Sequence, residues 1–449
     1  SEGQLMPTQF KYRGGFVTDC TLSGEGKASG YLPAQPLSGA VRASENHWLF
    51  TYSTLETSGW DLPRAIIVQI RRDRPDGPVV REVILADRDE AFDPLARGET
   101  LLKAVGAAKV FGVPSGAKIA GRVPRHAGLF VARWYRKVFY PAEDGPINPG
   151  TGRDRWPEGQ VIANTIPPSE WVHFRFDPQR ETIDMLGPAS PFVPTAYEAD
   201  PLHPEATGLL GGMLTALPTD DTATQWHDIG TIRRKQRGSE ETTLHLIAQR
   251  FTYDAERDRY RFETVGEPFG PVDRRLSEAS LARAADRWIV AARSNRIDGS
   301  TLWFVSDDPN RWPREPAAVT PMSWGPRTLW RCGDGRLRLF AGDRERSPHG
   351  EKRNPLYAWE VDLVGGVPRL GEPAVVFDAA AHDIPFDRPF ADFAQLLEPM
   401  GRTQPIVFRL IDSKMTTGGG IASPAALAAA GIHRVDLVYE APAESDWVF

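Results

Sequence analysis

The sequence predicts an all-β chain folded as a propeller, and three observations predict it. Strand-like runs of β-branched and aromatic residues recur along the chain, with Gly, Pro and polar turn residues between them. The 449 residues include 41 Gly, 39 Pro and 13 Trp, a composition in which turns consume Gly and Pro while pleated surfaces take aromatics. Groups of three or four strands repeat roughly every 50 to 80 residues, the spacing of a sheet repeated around an axis, an arrangement that leaves only short, protected edges.

The groups follow in order. "HWLFTYST" (47–54), "AIIVQIRRD" (65–73) and "VVREVILAD" (79–87) form the first. "GLFVARWYRKVF" (128–139), "HFRFD" (173–177) and "TIDML" (182–186) form the second, and "TLHLIAQRFTYD" (243–254) with "DRYRFETVG" (258–266) the third. The fourth holds "RWIVAARS" (287–294) and "TLWFVSDD" (301–308); the fifth "RLRLFAGD" (336–343), "LYAWEVDL" (356–363) and "AVVFDA" (374–379). "QPIVFRLID" (404–412) and "HRVDLVYEA" (433–441) make the sixth. Periodicity alone allows five to seven blades. Helical periodicity is scarce; "ASPAALAAAGI" (422–432), after "TTGGG", reads as a loop and a helical turn, because no Lys-Ser/Thr follows the glycines to make a phosphate cradle. An all-β chain of this length remains one unit, so a single domain over 1–449 is expected. The Pro/Gly-rich stretch at 140–170 is an insertion placed where loops carry function.

Lys plus Arg total 53 against 59 Asp plus Glu, a net charge of −6. That balance gives no whole-protein field for nucleic acid or an anionic membrane, so any anion site must be local. No apolar run approaches the roughly 18 residues of a membrane span. Cys20 and Cys332 match no zinc spacing and read as buried small hydrophobes. With no HExxH, calcium-loop or clustered His/Cys pattern, neither a metal nor a cofactor is expected. The opening "SEGQLM" has no leader pattern of its own, and the expectation is a secreted or periplasmic protein whose leader has been removed. The sequence leaves the oligomeric state open.

"FVSDDPNRW" (304–312) is similar to a shortened Asp box, the Ser-x-Asp-x-Gly-x-Thr-Trp hairpin of sialidase-type propellers, with Asn310 near the Gly position. "SEASLARAADRWIVAAR" (277–293) resembles the sialidase segment in which a Glu precedes a Gly-Arg turn and a strand ending in Arg, which implies roles for Glu278 and Arg293. "KRNPLYAWEVD" (352–362) resembles the strand opened by another arginine of that family's carboxylate-binding triad, implying Arg353. "FTYSTLETSGWDLPRAIIVQIRRD" (50–73) resembles the first-blade segment whose acidic loop carries the acid/base aspartate, implying Asp61. These matches keep the family's order over about 300 residues, and the resemblance to a divergent sialidase implies six blades of four antiparallel strands.

The chemistry implied is exo-acting glycoside hydrolysis of an acidic terminal sugar on a glycan. Planar guanidiniums hold the carboxylate through paired hydrogen bonds, and an acid with a raised pKa serves the glycosidic oxygen. In sialidases a tyrosine is the nucleophile and a Glu draws off its proton. Here "ADFAQLLEP" (391–399) places Phe393 where that tyrosine is expected, with Asp392 beside it as a replacement nucleophile. The family's amino-terminal Arg-Ile-Pro motif is also missing, with Pro36 near the arginine position and Arg42 six residues beyond. Other candidate substrate-binding residues are Arg125 and His126 before the second group, Trp226 and His227 in "TQWHDIG", and Trp324 and Arg327 in "SWGPRTLW", where Arg327 competes with Arg353 for the triad place. Two further readings remain open: a uronate-cleaving lyase with His126 or His227 and Tyr135 as proton carriers, and a carbohydrate-binding propeller that lost its nucleophile.

Overall fold

Near-continuous apolar runs give the middle strands two faces to bury, and a ring of sheets buries both. The computed structural model describes residues 9–20, 22, 31–37, 39–55, 63–87, 102–112, 128–141, 160–163, 169–187, 190–192, 206–210, 217–219, 224–235, 242–284, 286–295, 299–322, 325–417 and 423–443.

The chain enters through β1 (Gln9–Val17) and then lays down six blades. Blade 1 holds β2 (Leu32–Pro36), β3 (Val41–Ser44), β4 (His47–Leu55), β5 (Pro63–Arg72) and β6 (Val79–Asp87). Blade 2 holds β7 (Leu102–Gly112), β8 (Leu129–Pro141), β9 (Gln160–Ala163), β10 (Ser169–Asp177), β11 (Thr182–Met185) and β12 (Ser190–Phe192). Blade 3 holds β13 (Ala206–Leu210), β14 (Leu217–Pro218), β15 (Gln225–Lys235), β16 (Thr242–Asp254) and β17 (Arg259–Phe269). Blade 4 is β18 (Leu276–Ala284), β19 (Arg287–Ser294), β20 (Ser300–Ser306) and β21 (Ala318–Pro321). Blade 5 is β22 (Thr328–Arg331), β23 (Leu337–Gly342), β24 (Leu356–Val364) and β25 (Val367–Phe377). Blade 6 is β26 (Pro389–Leu396), β27 (Thr403–Asp412) and β28 (Gly431–Val438), completed by β1 as its outer strand. All pairings are antiparallel, and the chain is an all-β six-bladed propeller of four-stranded blades with almost no helix. Most of the 140–170 insertion lies outside the described residues, with β9 formed inside it.

Apolar clusters fill each blade interface. Leu49 and Ile66 meet Phe130 and Phe174 between blades 1 and 2, and Leu129 and Val131 meet Trp226 and Phe251 between blades 2 and 3. Ile229 and Leu246 meet Leu281 and Val290 next, then Ile289 and Trp303 meet Leu339 and Trp359. Phe340 and Leu356 meet Phe408 and Leu437 between blades 5 and 6. Tyr52 and Ile67 meet Val407 and Ile432 where the ring closes. Both cysteines are buried and unpaired in these packed regions.

Closure is reinforced by charge. Arg13 of β1 bonds Asp436 (2.8 Å), and Arg434 bonds Asp436 (2.7 Å) and Asp76 of blade 1 (2.5 Å). Pairing β1 with β28 ties the start of the described chain to its last strand and makes β1 the outer strand of blade 6.

Connections from the second to the third strand of each blade open at one end of the propeller. There Leu55, at the end of β4, packs with Ile411, Met415 and the short helix Pro424–Ala429, which Ser423 caps through Ala426 N (3.1 Å). The opposite end holds the turn between β20 and β21. Its Asp308 carboxylate accepts from Asn310 N (2.9 Å), its Ser306 hydroxyl donates to the Asp308 carbonyl (2.8 Å), and Trp312 stacks on Phe269. No helix among the described residues is long and apolar enough to cross a membrane.

Two histidines are sealed in the blade interfaces. His173 Nε2 accepts from Tyr260 N (2.9 Å), and His227 meets the Trp288 ring edge-on. Burial pushes each imidazole down to about 4, helped by Arg259 and Arg250 respectively. Each is therefore neutral when folded and charged when unfolded below about 6.5, so stability is full above that pH and falls as pH drops toward about 4, by about 3 kcal/mol per histidine. Urea denaturation at pH 7 and pH 4.5 checks this: His227→Gln should lose clearly less stability over that interval than the parent chain, and equal losses would contradict it.

Candidate active site

Blades 4 and 6 carry the same irregularity in their innermost strands. In β18 the register runs Ser277↔Arg293 and then Ser280↔Ala291, so one residue is inserted, and Glu278 adopts a φ of 49°. In β26 it runs Asp392↔Arg409 and then Gln395↔Val407, and Phe393 adopts a φ of 54°. A bulge re-aims side chains, and a non-glycine residue held at positive φ is strain of the kind that gathers at functional sites. In both blades the strand opposite carries an arginine at the bulge.

Those arginines have different partners. Arg293 donates to Glu278 Oε2 (2.5 Å), and the Glu278 side chain stays 20 % exposed. Arg409 donates to Asp392 through Nε (2.6 Å) and Nη2 (2.8 Å), and Arg353 donates to the same carboxylate (2.8 Å). The Asp392 side chain is 0 % exposed, Arg409 3 % and Arg353 20 %. Phe390 lies under the Arg353 guanidinium (4.4 Å), and the Phe393 ring packs on Arg409 (4.5 Å).

Arg353 arrives on the β23–β24 connection, which is held from both sides. Ala391 N donates to the Arg353 carbonyl (2.9 Å), and Asn354 accepts from Ala379 N (3.0 Å) while donating to Asp378 (3.1 Å). Gly342 is needed there: a Cβ at that position would lie 2.6 Å from Arg353 Cα. Gly325 joins the group, with the Arg353 stem 3.7 Å from its Cβ direction and its carbonyl accepting from buried Arg327 (3.1 Å).

The electrostatics show one cluster. Burial pushes Arg327 down to about 9, and the positive charge of Arg293 adds to the shift while Glu278 opposes it. Burial also lowers Arg353; Asp392 opposes that, and Arg409 and Arg293 deepen it. Arg293, Arg327, Arg353 and Arg409 thus share a region with two carboxylates, Glu278 and Asp392. Asp343 acts on Arg327 from further away and faces Arg346 (3.7 Å). Arg293 Nε is buried with no hydrogen-bond partner. Among the described residues the region sets four guanidiniums against Glu278, Asp392 and Asp343 and holds one donor without a partner, and such a site attracts an anion.

Of the residues expected from sequence, Glu278, Arg293, Arg327, Arg353 and Asp392 come together. Arg327 and Arg353, expected as competitors for one place, are both present. Asp61, Arg125, His126 and Trp324 lie outside the described residues, as does the Tyr135 side chain; β4 ends and β5 begins at the same end of the propeller as the cluster. Three expectations are corrected. Asp392 is no exposed nucleophile: its carboxylate is sealed from solvent and clamped by two guanidiniums. Trp226 and His227 bind no substrate in this cluster, because both are about 1 % exposed and pack in the blade interfaces. His227 faces Trp288 near the start of β19, whereas Arg293 stands near its end. Sequence reading missed Arg409; its signal was the likeness of "PIVFRLID" to "RWIVAARS", apolar strands with an arginine near the end.

Removing Asp392 leaves two guanidiniums buried without their counter-charge, and Asp392→Ala is expected to lower stability by about 3–5 kcal/mol. Glu278→Gln, which keeps a hydrogen-bonding side chain at a pair with some access to solvent, should lower it by clearly less, about 1–2 kcal/mol. Chemical denaturation of both variants checks the contrast, and equal effects would contradict the clamp.

No family model matches the chain, and no curated protein matches it in sequence. Solved structures do. A protein of unknown function from Dyadobacter fermentans DSM 18053 superposes with a TM-score of 0.52 at 8 % identity, over 90 % of this chain and 94 % of that one. The K499G mutant of NanB sialidase from Streptococcus pneumoniae gives 0.52 at 8 % identity, over 92 % and 69 %. Trypanosoma rangeli sialidase in complex with 2,3-difluorosialic acid gives 0.50 at 10 % identity, over 90 % and 54 %, so this chain spans about half the length of that protein. At such identities the likeness is one of fold, and in fold the chain is a divergent sialidase-like six-bladed β-propeller.

Proposed function

We propose that the chain is an exo-acting glycoside hydrolase that releases a carboxylate-bearing terminal sugar from a glycan. The observation that carries this reading is the meeting, among the described residues, of four arginines with the carboxylates of Glu278 and Asp392, with Arg293 Nε lacking a hydrogen-bond partner there. Arg293 and Arg353, the two partly exposed members, take the sugar carboxylate, since a planar guanidinium matches a carboxylate through paired hydrogen bonds. Buried Arg327 adds charge from behind. Arg409 and Asp392 touch no substrate; they fix Arg353.

Glu278 is the carboxylate that can meet substrate: its Oε2 accepts from Arg293, and the side chain is 20 % exposed. In this reading it serves as base at the reacting carbon, and Asp61 is the general acid/base at the glycosidic oxygen. Fold analogy to sialidases supports the reaction class and not the sugar. A secreted or periplasmic origin accords with a glycan substrate. Phe393 favours a second reading, a glycan-binding propeller without turnover. The lyase reading keeps only His126, since His227 sits in the core.

Hydrolysis of paired model glycosides, each sugar with and without its carboxylate, tests the proposal. Release should be confined to the acidic member, and Arg293→Met or Arg353→Met should lower kcat/KM by about 10- to 100-fold, the worth of one charge-assisted hydrogen-bonding group. Equal release from neutral glycosides would overturn it; binding without release of any sugar would select the second reading.

A further inference from the structure

Which acidic sugar fits follows from the groups available for chemistry. Among the described residues around the cluster, the Ser277 hydroxyl accepts from Asn295 (2.6 Å), the Ser280 hydroxyl accepts from Leu329 N (2.7 Å), and the Thr328 hydroxyl beside Arg327 is buried out of reach of a sugar. Phe393, the second inner-strand residue held at positive φ, offers a phenyl ring packed on Arg409. Asp392 is sealed. Of the two described carboxylates in the cluster, the one with access to solvent is Glu278, which is paired with Arg293.

That arrangement discriminates between two classes of acidic sugar. In a ketoside of a 2-ulosonic acid the carboxylate is attached to the reacting carbon itself. Holding it on Arg293 and Arg353 would bring that carbon and its charge against Glu278, and two carboxylates at such range repel. In a hexuronide the carboxylate is on C5, and the ring oxygen and C5 separate it from the reacting C1. Its charge then rests on the arginines while C1 faces an anion that stabilises developing positive charge there. We infer that the substrate is a terminal hexuronide and that Glu278 acts at its C1, an inference that rests on the acidic-sugar reading above. In the balanced step, water attacks C1 while Glu278 takes its proton; the C1–O bond to the aglycone breaks, and the departing oxygen takes a proton from solvent. Water is the only co-reactant.

The test is made on the whole chain with 4-methylumbelliferyl α- and β-glucuronides and galacturonides against the 4-methylumbelliferyl glycoside of N-acetylneuraminic acid. One hexuronide should be hydrolysed at least about 100-fold faster than the ulosonide, and 2,3-difluorosialic acid should leave the intact mass of the protein unchanged. Glu278→Gln should abolish release while free hexuronic acid still binds by calorimetry. Faster ulosonide hydrolysis, a covalent difluorosialyl adduct, or full activity in Glu278→Gln would overturn the inference and leave the acidic-sugar reading standing. Failure to bind or cleave either class would overturn both.

Discussion

A carboxylate with no access to water, Asp392, holds two guanidiniums, and the geometry of the candidate site depends on that contact. A buried charge is tolerated only when its partners are close and well aligned, and removing one partner is far worse than never having had the pair. Arg409 meets both oxygens and Arg353 one, so the clamp fixes Arg353 with its guanidinium facing the two inner bulges. The result is crowding of like charge: Arg327 and Arg353 are lowered by burial and by neighbouring arginines. Such an arrangement spends stability to keep an anion receptor preorganised.

The propeller makes the crowding possible. β18, β22 and β26 touch in turn around the centre, so residues far apart in sequence arrive on adjacent rigid strands. The bulges of β18 and β26 then turn one residue each out of the pleat, Glu278 in one blade and Phe393 in the other. Structurally the two positions correspond; chemically they have diverged. One presents a carboxylate that pairs with its cross-strand arginine, the other a ring that covers its own.

Much of the fold was legible because the middle strands of the blades are long and apolar. "HWLFTYST", "TLHLIAQRFTYD" and "LYAWEVDL" carry enough β-branched and aromatic residues to mark β4, β16 and β24. The innermost strands gave no such signal. β2 is five residues, buried on both faces and containing two prolines, and β22 is only four. Closure by β1 was invisible for another reason: Tyr12 hydrogen-bonds His433 (2.7 Å) across nearly the whole chain, and no local pattern announces a partner so distant. In the site, Glu278 and Arg293 were readable because a single hairpin joins them. Asp392 was found but misread, since its role depends on Arg409 from the neighbouring strand and Arg353 from a loop of another blade. Trp226 and His227 show the converse, because a Trp-His pair looks the same whether it lines a pocket or fills a core.

The central claim, that this end of the propeller recognises negative charge on a sugar, is tested most directly by calorimetric titration with a free hexuronic acid and with its methyl ester. The two ligands share ring, hydroxyls and size and differ in one charge. The account predicts at least about tenfold tighter binding of the acid, corresponding to about 1.4 kcal/mol, and loss of that preference in Arg293→Met. Equal affinity for acid and ester, or a preference that survives without Arg293, would contradict it.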